Sequence, residues 1–212
     1  MTENTHDPEY WNNRWLNDNT GWDLGAVSPP LREYFSQLEN KDIDILIPGC
    51  GNSYEAAWLL DNGFTHITLL DISEVLVQRL REKFQPADGQ PSAGNQPPAS
   101  GLDLRVGDFF THTGQYDLII EQTFFCSLDP AQRPAYVEQA HRLLRPGGKL
   151  TGLLFDRDFA GGPPYGGHKP EYKQLLEKKF TLKTLEPCYN SVKPRAGAEL
   201  FFIATRPATS TG

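Results

Sequence analysis

The residues of this chain best suited to chemistry fall at the ends of short apolar runs. One run, Ile43 to Ile47, stops at "PGCG" (48–51) and is followed by an apparent helix start at Ser53. A strand that ends in a glycine turn and feeds a helix leaves N–H groups unpaired, and a polar or anionic part of a nucleotide-like ligand docks there. A second run, His66 to Leu70, ends at Asp71, where a carboxylate can accept two hydrogen bonds from a ribose diol. A third, Leu102 to Val106, precedes Asp108 and Phe109: an acceptor for an exocyclic amine and a ring for adenine. Each has a plainer role. Gly49 and Gly51 suit a tight turn with no ligand, Asp71 suits a cap for a helix starting near Ser73, and Asp108 suits a turn. At three successive strand ends, however, they suit an adenosine with a small polar tail.

A dinucleotide turn needs a third glycine to let the helix approach the strand, and Tyr54 stands at that position. An NAD-binding oxidoreductase is therefore the out-of-class alternative, together with a module that binds an adenosyl cofactor without turnover. Trp11, Trp15 and Trp22 lie within "EYWNNRWLNDNTGWDLG", the first two spaced to share a helical face. Such a pair can simply dock a helix on a core. It can also line a cationic ligand, because indole faces attract cations and exclude water.

The elements that must position these residues alternate. Further strand-like runs occur at Tyr116 to Ile120 and Lys149 to Phe155, and helical patterns at Ser53 to Asn62, Ser73 to Phe84 and Pro130 to Leu144. Most of the strand runs are continuously apolar, as expected of parallel strands covered on both faces. In the third helix, Asp129-Pro130-Ala131-Gln132 supplies an N-cap, a first-turn proline and a capping-box glutamine, with Tyr136, Val137, Ala140, Leu143 and Leu144 inward. Pro146-Gly147-Gly148 is expected to end that helix before the last core strand. A short helix near Glu171 to Lys179 and strands Thr181 to Leu185 and Leu200 to Ala204 complete the pattern. The prediction is a doubly wound, mostly parallel seven-stranded α/β sheet with an antiparallel edge, forming a single domain over 1–212. Residues 8–35 would form an aromatic lid and 85–101, rich in proline, glycine and polar residues, a flexible insertion.

With 20 basic and 27 acidic residues the net charge is −7, which disfavours phosphate backbones and anionic membranes. The first residues carry no basic, apolar leader, and no run reaches the length of a membrane span. The expectation is a cytoplasmic protein, a monomer or weak homodimer, acting on a small molecule and not on nucleic acid or membrane. Cys50, Cys126 and Cys188 form no C-x-x-C pair, and no metal-ligand spacing is present.

Taken in order, the glycine turn, the acidic strand end, Asp-Phe and "LLRPGG" resemble the class I methyltransferases that use S-adenosylmethionine. With the tryptophan segment, "LDIS" (70–73), "DLIIEQTFFCSLDPAQRPAY" (117–136) and "GGPPY" (161–165), the chain resembles the thiopurine S-methyltransferase family. Within it the motifs are most similar to the halide and thiocyanate methyltransferases of plants. The resemblance implies S-adenosylmethionine as cofactor and S-adenosylhomocysteine as its product. It implies contacts from Trp11, Trp15, Trp22, Gly49, Gly51, Asp71, Asp108 and Phe109, and from the position of Gln122, where relatives carry tyrosine or arginine. The implied acceptor is a small soft nucleophile, a thiol, hydrosulfide, thiocyanate or halide. Thiopurine or another aromatic thiol, tellurite and selenite are the alternatives.

Trp22, Phe124, Phe125 and Tyr165 are candidate acceptor walls, and the 161–165 loop a candidate lid over them. Arg133 either holds an anion or solvates its helix, His112 and His168 are placed near the mouth, and no residue is assigned as a general base.

Overall fold

The computed structural model describes residues 7–84 and 101–208. The expected insertion lies outside the described residues except for Gly101. Seven strands form one sheet in the order β3-β2-β1-β4-β5-β7-β6. They are β1 Ile45–Pro48, β2 Ile67–Asp71, β3 Leu102–Val106, β4 Tyr116–Gln122, β5 Leu144–Phe155, β6 Thr181–Pro187 and β7 Glu199–Thr205. Neighbours from β3 to β5 pair in parallel, while β7 runs antiparallel to both β5 and β6. The reversed strand thus lies one position in from the edge, which β6 forms.

Side chains of the central strands alternate between two cores, as a period of two demands. Leu46 and Ile119 join the layer covered by α5 (Arg133–Leu143) and α6 (Lys169–Leu176). Ile45, Ile47, Leu118 and Ile120 join the opposite layer under α2 (Pro29–Ser36), α3 (Tyr54–Asp61) and α4 (Glu74–Phe84). The remaining helix, α1 (Pro8–Leu16), is capped by the Asp7 carboxylate and brings Trp15 into the second core. Among the described residues no helix is long and apolar enough to cross a membrane.

Three elements depart from the sequence reading. Pro130–Gln132 is a 3-10 turn, capped by Asp129, and α5 proper begins at Arg133; the expected inward residues Tyr136, Val137, Ala140, Leu143 and Leu144 are buried. The Pro-Gly-Gly segment does not separate helix from strand. β5 starts at Leu144 and carries the segment as an irregularity, with partners jumping from Tyr116↔Leu144 to Leu118↔Lys149. Gly147 sits at φ +82, and Arg206 exchanges backbone hydrogen bonds with Gly147 and Gly148, so these polar groups are satisfied within the sheet. α2 was not anticipated. Its paired prolines occupy the first helical turn, where a missing N–H costs nothing, and Leu31 and Phe35 anchor it with no exposure.

Candidate functional site

At the carboxyl ends of β1, β2, β3 and β4 lies a cleft of about 910 Å³, open solvent at its mouth included. Topology puts the site there: where neighbouring crossovers leave to opposite sides of the sheet, the strand ends are uncovered. Gly49, Asp71, Asp108 and Thr123, one from each strand end, line it, and α1 with the turn after it closes the top.

The glycine turn needs its glycines for different reasons. Gly49 has φ +55, and a Cβ there would run into the Phe124 ring; Gly51 has φ +52 with no protein atom near enough to meet a Cβ. One glycine permits close packing and the other leaves space facing the cleft. Ser53, also left-handed at φ +53, then starts α3.

Asp71 ends β2. Burial pushes its carboxyl up to about 6, against the opposing pull of N–H groups from Ser73, Gly51 and Ile72. Its Oδ1 accepts from Ser73 N at 2.9 Å, while Ser73 Oγ accepts from Leu76 N and caps α4. The helix therefore has its own cap, and Asp71 faces the cleft. Asp108 Oδ1 accepts from Phe110 N at 2.9 Å, so Asp108 both closes a turn and lines the cleft. Phe109 lines it too, with most of its ring in the core, stacked on Tyr136 at 5.2 Å. Gln139 from α5 donates to the carbonyls of Phe109 and His112 and fixes that turn.

Trp11, Trp15 and Trp22 all line the cleft, with Trp22 edge-on to each of the others at 5.7 Å. Trp15 is 4% exposed, so it serves both as core and as wall. Arg14 lies over the Trp22 ring at 5.0 Å, and Arg195 donates to the Trp22 carbonyl at 2.7 Å. Asn12, between the first two tryptophans, accepts from Ser73 Oγ and Val75 N, tying α1 to the start of α4.

Gln122 does not line the main cleft. It faces an adjoining recess of about 460 Å³ that shares Trp22, Gly49, Gly51 and Thr123 with the cleft. Its Oε1 is buried without a hydrogen-bond partner among the described residues. Such an oxygen is costly unless a water or a ligand supplies the donor, so the recess can take the polar end of an elongated ligand.

Two of the expected acceptor walls lie elsewhere. Phe125 is 3% exposed and packs between Tyr136 and Tyr172 with the Arg133 guanidinium over its ring. The cause is Glu121, whose Oε1 accepts from both Phe124 N and Phe125 N at 2.8 Å. This winds a 3-10 turn that sends Phe124 to the cleft and Phe125 to the core. Tyr165 is half-buried outside the cleft lining, and its N–H is tied to the Cys126 carbonyl. Arg133 neither solvates its helix nor meets the cleft: it is 3% exposed, paired with Glu171 and bonded to the Gly166 carbonyl. His112 is buried against the Tyr116 hydroxyl, away from the mouth, and His168 is exposed between Asp156 and Asp158. Burial and the nearby Glu121 push the Cys126 thiol well up, so it is no nucleophile at neutral pH.

Sequence reasoning missed Thr123, at φ +63, and Ser127, Leu128 and Gln132 on the cleft wall. Their only signal was their place just after a strand that ends at the site. It missed the weight of Glu121 too. Wholly buried, that residue also accepts from the Tyr136 hydroxyl, and burial pushes it up to about 7.

The likeness to known proteins runs through the same segments. The chain is 33% identical over 193 residues to a probable thiol methyltransferase 2 of Arabidopsis thaliana, covering 89% of this chain and 81% of that one. It is 30% identical over 190 residues to a thiopurine S-methyltransferase of Pseudomonas fluorescens, covering 85% and 86%. A similar fold occurs in the 1,6-didemethyltoxoflavin N1-methyltransferase of Burkholderia thailandensis, solved with S-adenosylhomocysteine (TM-score 0.70, 17% identity, 94% and 87% covered). It recurs in a magnesium protoporphyrin IX methyltransferase of Synechocystis solved with S-adenosylmethionine (TM-score 0.69, 17% identity, 94% of each chain). The profile described as thiopurine S-methyltransferase matches residues 6–205, from α1 and its tryptophans to the end of β7, and the chain therefore belongs to that family.

Proposed function

We propose that the chain transfers a methyl group from S-adenosylmethionine to a small soft nucleophile: a thiol, hydrosulfide, thiocyanate or halide. The relatives named above are a thiol and a thiopurine methyltransferase, and the chemistry of the cleft wall suits an S-adenosyl cofactor. Asp71 would accept from the ribose hydroxyls, a contact that favours its charged form against the burial that disfavours it. Asp108 would face the exocyclic amine and Phe109 the adenine. The three tryptophans would line the sulfonium end, and Gln122 the polar tail. The cofactor supplies a methyl group on a cationic sulfur, open to in-line displacement.

The observation that carries the acceptor class is the make-up of the wall. Among the described residues, the only titratable side chains lining the cleft are Asp71 and Asp108; no lysine, arginine, histidine or cysteine among them lines it. An alcohol or amide acceptor would need a base there. A thiolate or halide arrives already nucleophilic and needs only to lose its water and be held close, which aromatic and aliphatic walls such as Phe124 and Leu128 favour. Aromatic thiols, thiopurines among them, fit the same argument and differ only in size. Net charge −7 supports a small-molecule acceptor over nucleic acid, and we read 1–212 as one catalytic domain, cytoplasmic, a monomer or weak homodimer.

The test is headspace detection of methyl iodide, methyl thiocyanate and methanethiol from the purified protein with cofactor, alongside an aromatic thiol. Methylation of at least one is expected. Calorimetric binding of S-adenosylhomocysteine with no product from any acceptor would leave a binding module and end the enzyme reading.

A further inference from the structure

Tyr54 stands where a dinucleotide turn would carry its third glycine, and the structure gives it a task. Its hydroxyl donates to Asp23 Oδ2 at 3.1 Å across 31 residues of sequence. The same oxygen accepts from Asn52 Nδ2 at 2.6 Å, and Asp23 Oδ1 accepts from Gly25 N at 3.0 Å. Asp23 directly follows Trp22, and Asn52 and Tyr54 directly follow the glycine turn. One carboxylate therefore joins the far end of the aromatic segment to the loop beneath the cleft. Lys83 steadies the loop side, donating to the Asn52 carbonyl at 2.7 Å and lying 5.0 Å over the Tyr54 ring. Burial and the Asp23 charge hold the Tyr54 phenol above its usual range, so it remains a donor.

The contact borders the recess. Asp23 and Tyr54 line the recess with Gln122, and Trp22 forms the wall between recess and cleft. Moving the backbone at Trp22 and Asp23 away from the glycine turn would strain this contact together with the Arg195 bond to the Trp22 carbonyl.

The geometry points to Tyr54 and Asp23 as positioning residues that fasten the Trp22 end of the lid to the glycine turn and slow the departure of the spent cofactor. This rests on the cleft being the S-adenosylmethionine site. A purely structural Tyr54 would stabilise α3 and leave the lid's motion unchanged. The two roles separate in Tyr54→Phe, which keeps the ring and removes only the hydroxyl.

Two readouts decide between them: stopped-flow tryptophan fluorescence for release of S-adenosylhomocysteine, and amide hydrogen exchange of residues 11–25 in the ligand-free protein. Tyr54→Phe should release the product about three- to tenfold faster, the range set by one hydrogen bond, and should speed exchange in that segment. Asp23→Asn should act in the same direction, and the double variant should add less than the sum of the two. Wild-type release and exchange in Tyr54→Phe, with or without a lower melting temperature, would overturn the inference. Failure of the wild-type protein to bind S-adenosylhomocysteine would instead overturn the cofactor reading, and the ligand-free exchange would still decide whether the bond fastens the lid.

Discussion

The aromatic segment of α1 and the aromatic stretch after β4 look alike in sequence, each rich in rings beside a strand end, yet they serve the site differently. Trp11, Trp15 and Trp22 all face the cleft, because α1 and the turn after it lie across the strand ends. Of the two phenylalanines after β4 only Phe124 does so, because Glu121 gathers two consecutive N–H groups and turns Phe125 inward. A ring near a site becomes part of it only where the backbone beneath points it there. Buried acceptors do that pointing as much as hydrophobicity does.

The contrast can be broken, and the sharpest attempt is Phe125→Ala. It should cost about 3–5 kcal/mol of stability, the range for emptying a packed aromatic site, and leave cofactor affinity in the folded fraction unchanged. Urea unfolding beside calorimetry measures both, and lost affinity at unaltered stability would put Phe125 back at the cleft. Glu121 comes next. Its carboxyl titrates near 7 in the folded protein against an ordinary 4.5, so the protonated form is the stabilising one. That stability should be fully present below about 4.5 and be lost as pH rises through about 7, a fall on the order of 3 kcal/mol. Glu121→Gln should flatten this part of the pH–stability curve; an unchanged slope would assign it elsewhere.

Trp22→Ala should do the opposite of Phe125→Ala. Cofactor affinity should fall by about 2 kcal/mol, roughly thirtyfold, with a smaller change in unfolding. Equal loss in both measurements would make the lid ordinary core. The smallest effect belongs to the strand end facing the tryptophans. Asp71→Ala should weaken S-adenosylhomocysteine by at least about tenfold, near 1.4 kcal/mol. In the wild-type protein the same affinity should decline as pH falls through about 6, where Asp71 gains its proton. Titration calorimetry across pH reads both, and a flat profile would remove Asp71 from ribose recognition.

Much of this is legible in the sequence. The alternation of apolar runs and helical stripes gave the sheet, because strands buried on both faces and amphipathic helices leave strong periodic signals. Gly49, Asp71, Asp108 and Phe109 were readable because strand ends in such folds converge. The misreadings share a cause: nothing local marks them. Pro-Gly-Gly looks like a break, and only the distant Arg206 backbone makes it part of β5. Phe124 and Phe125 are the same residue type in adjacent positions, and a buried carboxylate earlier in the chain sorts them. Arg133 resembles a solvent-facing helix residue until Glu171 and Gly166 are brought beside it. Tyr54 signalled only what the turn was not.

Asn12 makes the order of the Asp71 end of the cleft depend on the first helix. Its side chain receives the Ser73 hydroxyl and the Val75 amide at the start of α4, directly beyond Asp71. A protease nick between residues 17 and 20, or a rigid fusion partner joined close to Pro8, would therefore act at a distance. By pulling one asparagine away, either would fray the opening turn of another helix and loosen the carboxylate beside it, with every residue of the sheet still in place.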